Sequence, residues 1–159
     1  MGDQRRSQAN FLIVFLTVIG VVFLDRLTKN FFLATLNSGE SIPLIRNVFH
    51  FTLVHNTGIA FGLFKNQGIV FIIIPIIAIG LIAFNMYYYR NAPEINHVYI
   101  LGFSLILAGA IGNLIDRILY GHVVDFIDFR VWPVFNVADS AITIGTMLIL
   151  LKCIPLFSK

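Results

Sequence analysis

The stretch VFNVADSAITIGTMLILLKCIPLF, residues 134–157, decides how the rest of the chain is read. It is apolar almost throughout, with one acid, Asp139, near its head and one base, Lys152, near its end. A helix rises about 1.5 Å per residue, so about 20 such residues cross the hydrocarbon core of a bilayer. A carboxylate at the head of such a run needs a reason, because burying an unpaired charge costs several kcal/mol. Asp139 is either a helix-end charge favoured by the macrodipole or part of a reaction.

Composition points to a membrane. Of 159 residues, 58% are hydrophobic and only 12% charged, with mean hydropathy +0.87. A soluble domain carries about a quarter charged residues, so the bilayer is the expected solvent. Three further apolar stretches accompany the first. Phe11–Leu24 is interrupted only by Thr17 and Gly20, and reaches spanning length if its helix runs on through 25–36. Ile69–Tyr89 has 21 residues with Pro75 inside, and Val98–Ile115 has 18, including Ser104 and Asn113. Proline is tolerated in a membrane helix whose neighbours satisfy the freed carbonyl. The expectation is an all-α membrane protein with one domain over 1–159 and four transmembrane helices at about 10–34, 68–89, 97–116 and 135–157. The first apolar run leads into Asp25, Arg26 and Lys29 and not into a small-residue cleavage site, so it reads as a retained helix. The single Cys153 allows no internal disulfide. No Cys/His spacing suits zinc, and no basic-aromatic run suits nucleic acid.

Four crossings put the termini on one side and the loops 37–67 and 117–134 on the other. Basic residues do not orient the chain. Arg5, Arg6, Arg90, Lys152 and Lys159 on the termini side face Arg26, Lys29, Arg46, Lys65, Arg117 and Arg130 opposite. The acids are uneven: Asp25, Glu40, Asp116, Asp125, Asp128 and Asp139 share the loop side, leaving Asp3 and Glu94. Acids contribute little to orientation, so their gathering is a clue to function. In the first loop, VFHFTLVH (48–55) places Phe49, Phe51 and Leu53 on one face and His50 and Thr52 on the other, which predicts a strand. Asn56-Thr57-Gly58 supplies turn chemistry after it. A small β-structure on the membrane surface is expected.

Polar clusters gather near the same membrane face. Asp25 and Lys29 are four apart and share a helix face. Asn113 and Arg117 repeat that spacing, and Gly109 and Gly112 allow a backbone or a substrate to approach closely. Asn136 and Asp139 are three apart at the start of the last helix. Asp125, flanked by apolar residues, precedes Asp139 by 14 positions with Pro133 between, which lets a reversing loop make the two neighbours. Two carboxylates so placed do not both ionise easily and share one proton. One then takes a proton from water while the other polarises an amide carbonyl and serves the leaving nitrogen.

Plainer readings exist for each piece. Asp25–Lys29 is a stabilising pair, Asn113 an interhelical hydrogen bonder, and Arg117 a snorkelling cation. Phe126, Phe129 and Trp132 form an interfacial aromatic belt. The histidines at 50, 55, 97 and 122 lack metal-ligand spacing. None of these explains so many polar groups on one face, and ionisable residues in membrane segments mark function by default. Two other classes fit in part. A proton-coupled carrier would use Asp25, Asp125 and Asp139 as a relay, but the termini-side halves of the helices are nearly all apolar apart from Ser104 and Thr146. A lipid-binding scaffold would be indifferent to Asp125. No G-x-S-x-G or H-E-x-x-H motif occurs.

These residues together resemble the bacterial lipoprotein signal peptidase (signal peptidase II) family. The resemblance runs in order through DRLTK at 25–29, HNTGIAFG at 55–62, AGAIGNLIDR at 108–117, GHVVDF at 121–126 and FNVAD at 135–139. It implies an aspartic endopeptidase that cuts diacylglyceryl-modified prolipoproteins on the amino side of the lipidated cysteine. By position it makes Asp125 and Asp139 the catalytic dyad. Asn56, Gly109, Asn113, Arg117, Asn136, Ala138, Asp25 and Lys29 fall at its substrate-binding or dyad-supporting positions. It further implies a multi-pass protein of the cytoplasmic (inner) membrane, with cytoplasmic termini, the active site near the outer face and the β-structure outside. Membrane lipids are its surroundings, a monomer is expected, and no metal, cofactor or nucleic acid is called for. Arg26 stands where glutamine is common, Ile59 where alanine is usual, and Ala108 and Ile111 replace glycine and leucine. Ile59 is expected to narrow the substrate-facing turn.

Overall fold

Helix α1 runs Gly2–Thr35 in the computed structural model, which describes residues 2–58, 69–90 and 96–153. It begins earlier than the expected 10–34 because the polar opening after Gly2 holds no proline or further glycine to break it. Helices α2 (Val70–Tyr88) and α3 (His97–Tyr120) follow, and among the described residues Arg6–Thr35, α2 and α3 are long and apolar enough to cross a membrane. Helix α4 spans Val137–Cys153, 17 residues, and its expected continuation to 157 lies outside the described residues.

Helix α3 has defined ends. Asn96 caps it, its side-chain oxygen accepting from the Val98 and Tyr99 amides at 3.0 and 3.2 Å. It overruns the expected end at 116 because nothing stops it before Gly121, whose φ of +73° makes the left-handed C-terminal cap. This helix packs against α1, α2 and α4 and is the centre of the bundle. Small residues bring α4 close. A Cβ on Gly109 would stand 2.2 Å from the Ala138 carbonyl oxygen, and one on Gly145 would stand 2.5 Å from that of Gly102. Such backbone approach is how helices associate when lipid removes the hydrophobic drive between them.

The β-structure is an antiparallel sheet in the order β1-β2-β3: Ser41–Ile45, Phe49–Asn56 and Val123–Asp128. The strand expected over 48–55 is β2, and as expected Phe51 and Leu53 face the core while His50 and Thr52 meet Ser41, Asp128 and Arg130 on the other side. The third strand lies in the segment read as a plain loop. VVDFID alternates too briefly to announce itself, and its partners on β2 lie 67 to 78 positions earlier. Phe32 and Leu36 at the end of α1 pack on Leu53, Val124 and Phe126, with the Phe32 and Phe126 rings stacked at 4.4 Å. This cluster fixes the sheet on the helix bundle, and every strand side chain inherits its position from it.

Candidate active site

Strand β3 and helix α4 position two acids. Beyond β3, the chain turns back on itself: the Phe135 amide donates to the Ile127 carbonyl at 3.1 Å and the Ile127 amide to the Phe135 carbonyl at 2.8 Å. That return places Asn136 beside β3 and starts α4 one residue later. Asn136 and Asp139 then form a reciprocal cap. The Asp139 amide donates to Asn136 Oδ1 at 2.9 Å, and the Asn136 amide to Asp139 Oδ2 at 3.3 Å.

Asp139 is therefore a helix cap, but its other oxygen does different work. Oδ1 accepts from Asn113 Nδ2 at 2.7 Å. The Asn113 carbonyl oxygen in turn accepts from Lys29 Nζ and from Asn136 Nδ2, each at 3.1 Å. An ammonium can only donate, so Lys29 dictates which end of the Asn113 amide faces it and leaves the NH2 for Asp139. On the far side of Asn136, its NH2 donates to Asp125 Oδ1 at 2.7 Å. Asn56 donates to the second Asp125 oxygen at 2.9 Å. Both acids are thus held by amide donors and linked to each other through Asn136 and Asn113.

The environments of the acids differ. Asp125 is 1% exposed. Burial pushes its carboxyl up to about 7, and the nearby Asp139 charge adds to the rise while the Asn56 and Asn136 donors oppose it. Asp139 is half-buried and borders a cleft of ≈ 420 Å³ lined also by Trp132, Phe135, Ser140, Thr143 and Ile144. Arg117 stands within electrostatic reach of Asp139 and Asp125. It pairs with neither among the described residues, and bonds only weakly to the Asn113 carbonyl at 3.5 Å. A guanidinium so held is available to an incoming acceptor.

Behind the acids lies an ion cluster. Lys29 Nζ contacts Asp25 Oδ2 at 2.9 Å and Asp116 Oδ2 at 2.7 Å, all three side chains fully buried. Arg26 Nη2 bonds both acids, Asp116 directly and Asp25 at 3.1 Å. The two carboxylates also reach backbone: Asp25 Oδ1 accepts the Ala138 amide at 3.1 Å, and Asp116 Oδ2 the Val124 amide at 3.1 Å. Each acid therefore ties an amide beside a dyad candidate, one on α4 and one on β3. Two acids and two bases balance the charge, which is what makes their burial tolerable.

The ten positions named in the sequence as dyad, substrate-binding or dyad-supporting residues lie in or against this network, though not in the same way. Gly109 and Ala138 touch each other at the α3–α4 seam and do not border the cleft. Asp116 and Arg26 were not singled out as site residues. The signal for Asp116 was present: positions 109, 112, 113 and 116 share one face of α3. Ile59 lies outside the described residues. Among the described residues no three His, Cys, Asp or Glu side chains come together as a metal site requires.

Comparison with known proteins gives a consistent result. The family model for Signal peptidase (SPase) II matches residues 17–155. A lipoprotein signal peptidase of Halothermothrix orenii is 43% identical, over 87% of this chain and 92% of its own. That of Clostridioides difficile is 41% identical over 93% and 99%. Among solved structures, a bacterial membrane enzyme determined by the in meso method at 1.9 Å superposes with a TM-score of 0.78 and 35% identity, covering 89% of this chain and 92% of that one.

Proposed function

The chain belongs to the signal peptidase II family of peptidases, and we propose that it removes signal peptides from diacylglyceryl-modified prolipoproteins, with Asp125 and Asp139 as the catalytic dyad. The observation that carries this reading is the pair itself: two acids on different elements, oriented by Asn56, Asn113 and Asn136, one of them bordering an apolar cleft. Near neutral pH the pair holds one proton. The ionised partner takes a proton from an attacking water, and the protonated one donates to the scissile carbonyl. The same proton inventory then serves the leaving nitrogen. Arg117 orients substrate carbonyls by charge-assisted hydrogen bonds.

The placement of the site suits a lipidated substrate. Acyl chains held in the bilayer set the depth of the modified cysteine, and the acids wait where the sheet meets the helix ends. In this reading α4 is the fourth crossing, 1–159 is one domain, and the protein acts as a monomer in the cytoplasmic membrane. The termini are cytoplasmic, and the sheet and dyad lie at the outer face.

The test is cleavage by the purified protein of one prolipoprotein with and without its diacylglyceryl group. The proposal expects a cut before the cysteine only in the lipidated form. Equal cleavage of both forms, or of neither, contradicts it.

A further inference from the structure

A second cleft lies at the opposite end of the bundle, between α1, α2 and α3. Its volume is ≈ 290 Å³. Asn10 on its wall lies 15 residues before Asp25, about 22 Å along the helix at about 1.5 Å per residue, so the cleft is remote from the acids. The walls are mainly apolar, with Val14, Ala83 and Leu107 among them, and Ser7, Tyr87 and Arg90 join Asn10 in bringing polar groups to the lining.

Two observations point to a ligand. Asn10 is 92% buried, being 8% exposed, and its side-chain Nδ2 has no acceptor among the described residues. A buried amide donor without a partner is unfavourable unless something brings an acceptor. The second is Arg90, at the end of the cleft. Its guanidinium lies 4.0 Å from the Tyr87 ring centroid and donates through Nη1 to the Tyr87 carbonyl at 2.6 Å. That anchors the group, while no carboxylate pairs with it among the described residues.

We propose that this cleft binds one anionic phospholipid, its phosphate on Arg90 and Ser7, a glycerol ester carbonyl on Asn10 and an acyl chain along the apolar walls. The order of the groups matches the molecule: a cation and a hydroxyl, then an amide donor, then hydrocarbon. The charge selects the occupant, because a basic peptide segment would be repelled by Arg90 and a zwitterionic phospholipid sets its own cation against the attraction of its phosphate. In the orientation proposed above, the lipid belongs to the cytoplasmic leaflet.

Native mass spectrometry of the full chain in detergent tests this, with dioleoyl phosphatidylglycerol and dioleoyl phosphatidylcholine offered in equal amounts. The expected result is one retained lipid with at least about a tenfold preference for phosphatidylglycerol, whose negative charge no headgroup cation offsets. Arg90→Gln, a change at an exposed residue, is expected to abolish the preference, and Arg90→Lys to keep most of it. Asn10→Leu is expected to weaken retention of both lipids. Millimolar inorganic phosphate is expected to leave the lipid in place. Equal retention of the two lipids by the unaltered chain, an unchanged preference in Arg90→Gln, or displacement by phosphate alone would each overturn the proposal. So would a basic signal-peptide segment competing better than phosphatidylglycerol. None of these readouts depends on peptide cleavage, so the site stands or falls apart from the dyad.

Discussion

Asn56→Ala tests how the shared proton is held. Asn56 donates to Asp125 Oδ2 at 2.9 Å, and that bond favours the ionised carboxylate. Burial raises the Asp125 carboxyl to about 7 against this opposition. Removing the donor leaves the burial and takes away the opposition, so the value must rise further. A hydrogen bond to a charged group is worth about 1.5–3 kcal/mol, and a pKa unit is about 1.4 kcal/mol, which gives a rise of about one to two units. A dyad working with one proton loses activity as that proton leaves. The alkaline limb of kcat/KM, which follows the free enzyme, should therefore fall through about 7 in the unaltered protein and move up by about one unit or more in Asn56→Ala. The assay is kcat/KM against pH with a lipidated peptide in detergent. Asn56 also accepts the Gly58 amide at 3.2 Å, so the variant's maximum rate is expected to drop as the turn loosens, but only the proton argument moves the limb. An alkaline limb that stays put or moves down would mean that Asn56 does not hold down the Asp125 carboxyl. An acid limb that moves instead would make Asp139 the proton's holder.

Further outcomes follow from the packing and the ion cluster. Gly109→Ala drives a Cβ to 2.2 Å from the Ala138 carbonyl, so α3 and α4 must part, at a cost of about 1–3 kcal/mol; thermal unfolding in detergent should show a lower Tm, and an unchanged Tm contradicts the seam. Lys29→Met leaves Asp25 and Asp116 buried with only Arg26 between them and should cost about 3–5 kcal/mol, more than Arg26→Gln, since Arg26 is partly exposed; equal stability of the two variants would contradict that order. Arg117→Ala should raise KM about tenfold or more while leaving the fold intact, because the guanidinium has no ion-pair partner to lose among the described residues; unchanged KM and kcat remove it from substrate binding.

Much of this site was legible in the sequence because membrane chains have so few charges to place. Asp25 and Lys29 pair at helical spacing, as expected, and the pair packs against Asn113. Asp139 was readable both as cap and as acid, and the structure gives its two oxygens to those separate partners. What escaped was long-range. Strand β3 is recognisable only once β2 is beside it, since six residues carry too little pattern to declare a strand. Asp116 pairs with residues 87 and 90 positions earlier, and Asp25 reaches an amide 113 positions later. Local periodicity cannot supply such partners. The glycines on α3 announced close approach, but not that α4 backbone would fill the space.

The proposed dyad is tested most directly by Asp125→Asn and Asp139→Asn. Each variant keeps the shape of the side chain and one acceptor oxygen, so one of the two neighbouring donors stays bonded and substrate binding should persist. The measurement is single-turnover cleavage of a diacylglyceryl-modified prolipoprotein by the purified unaltered protein and by each variant, with bound substrate quantified in parallel. Both variants are expected to bind substrate and to lose turnover by a factor on the order of 10³ or more, since each acid of the proposed dyad has a separate role in the proton transfers. Full turnover in either variant would contradict the dyad.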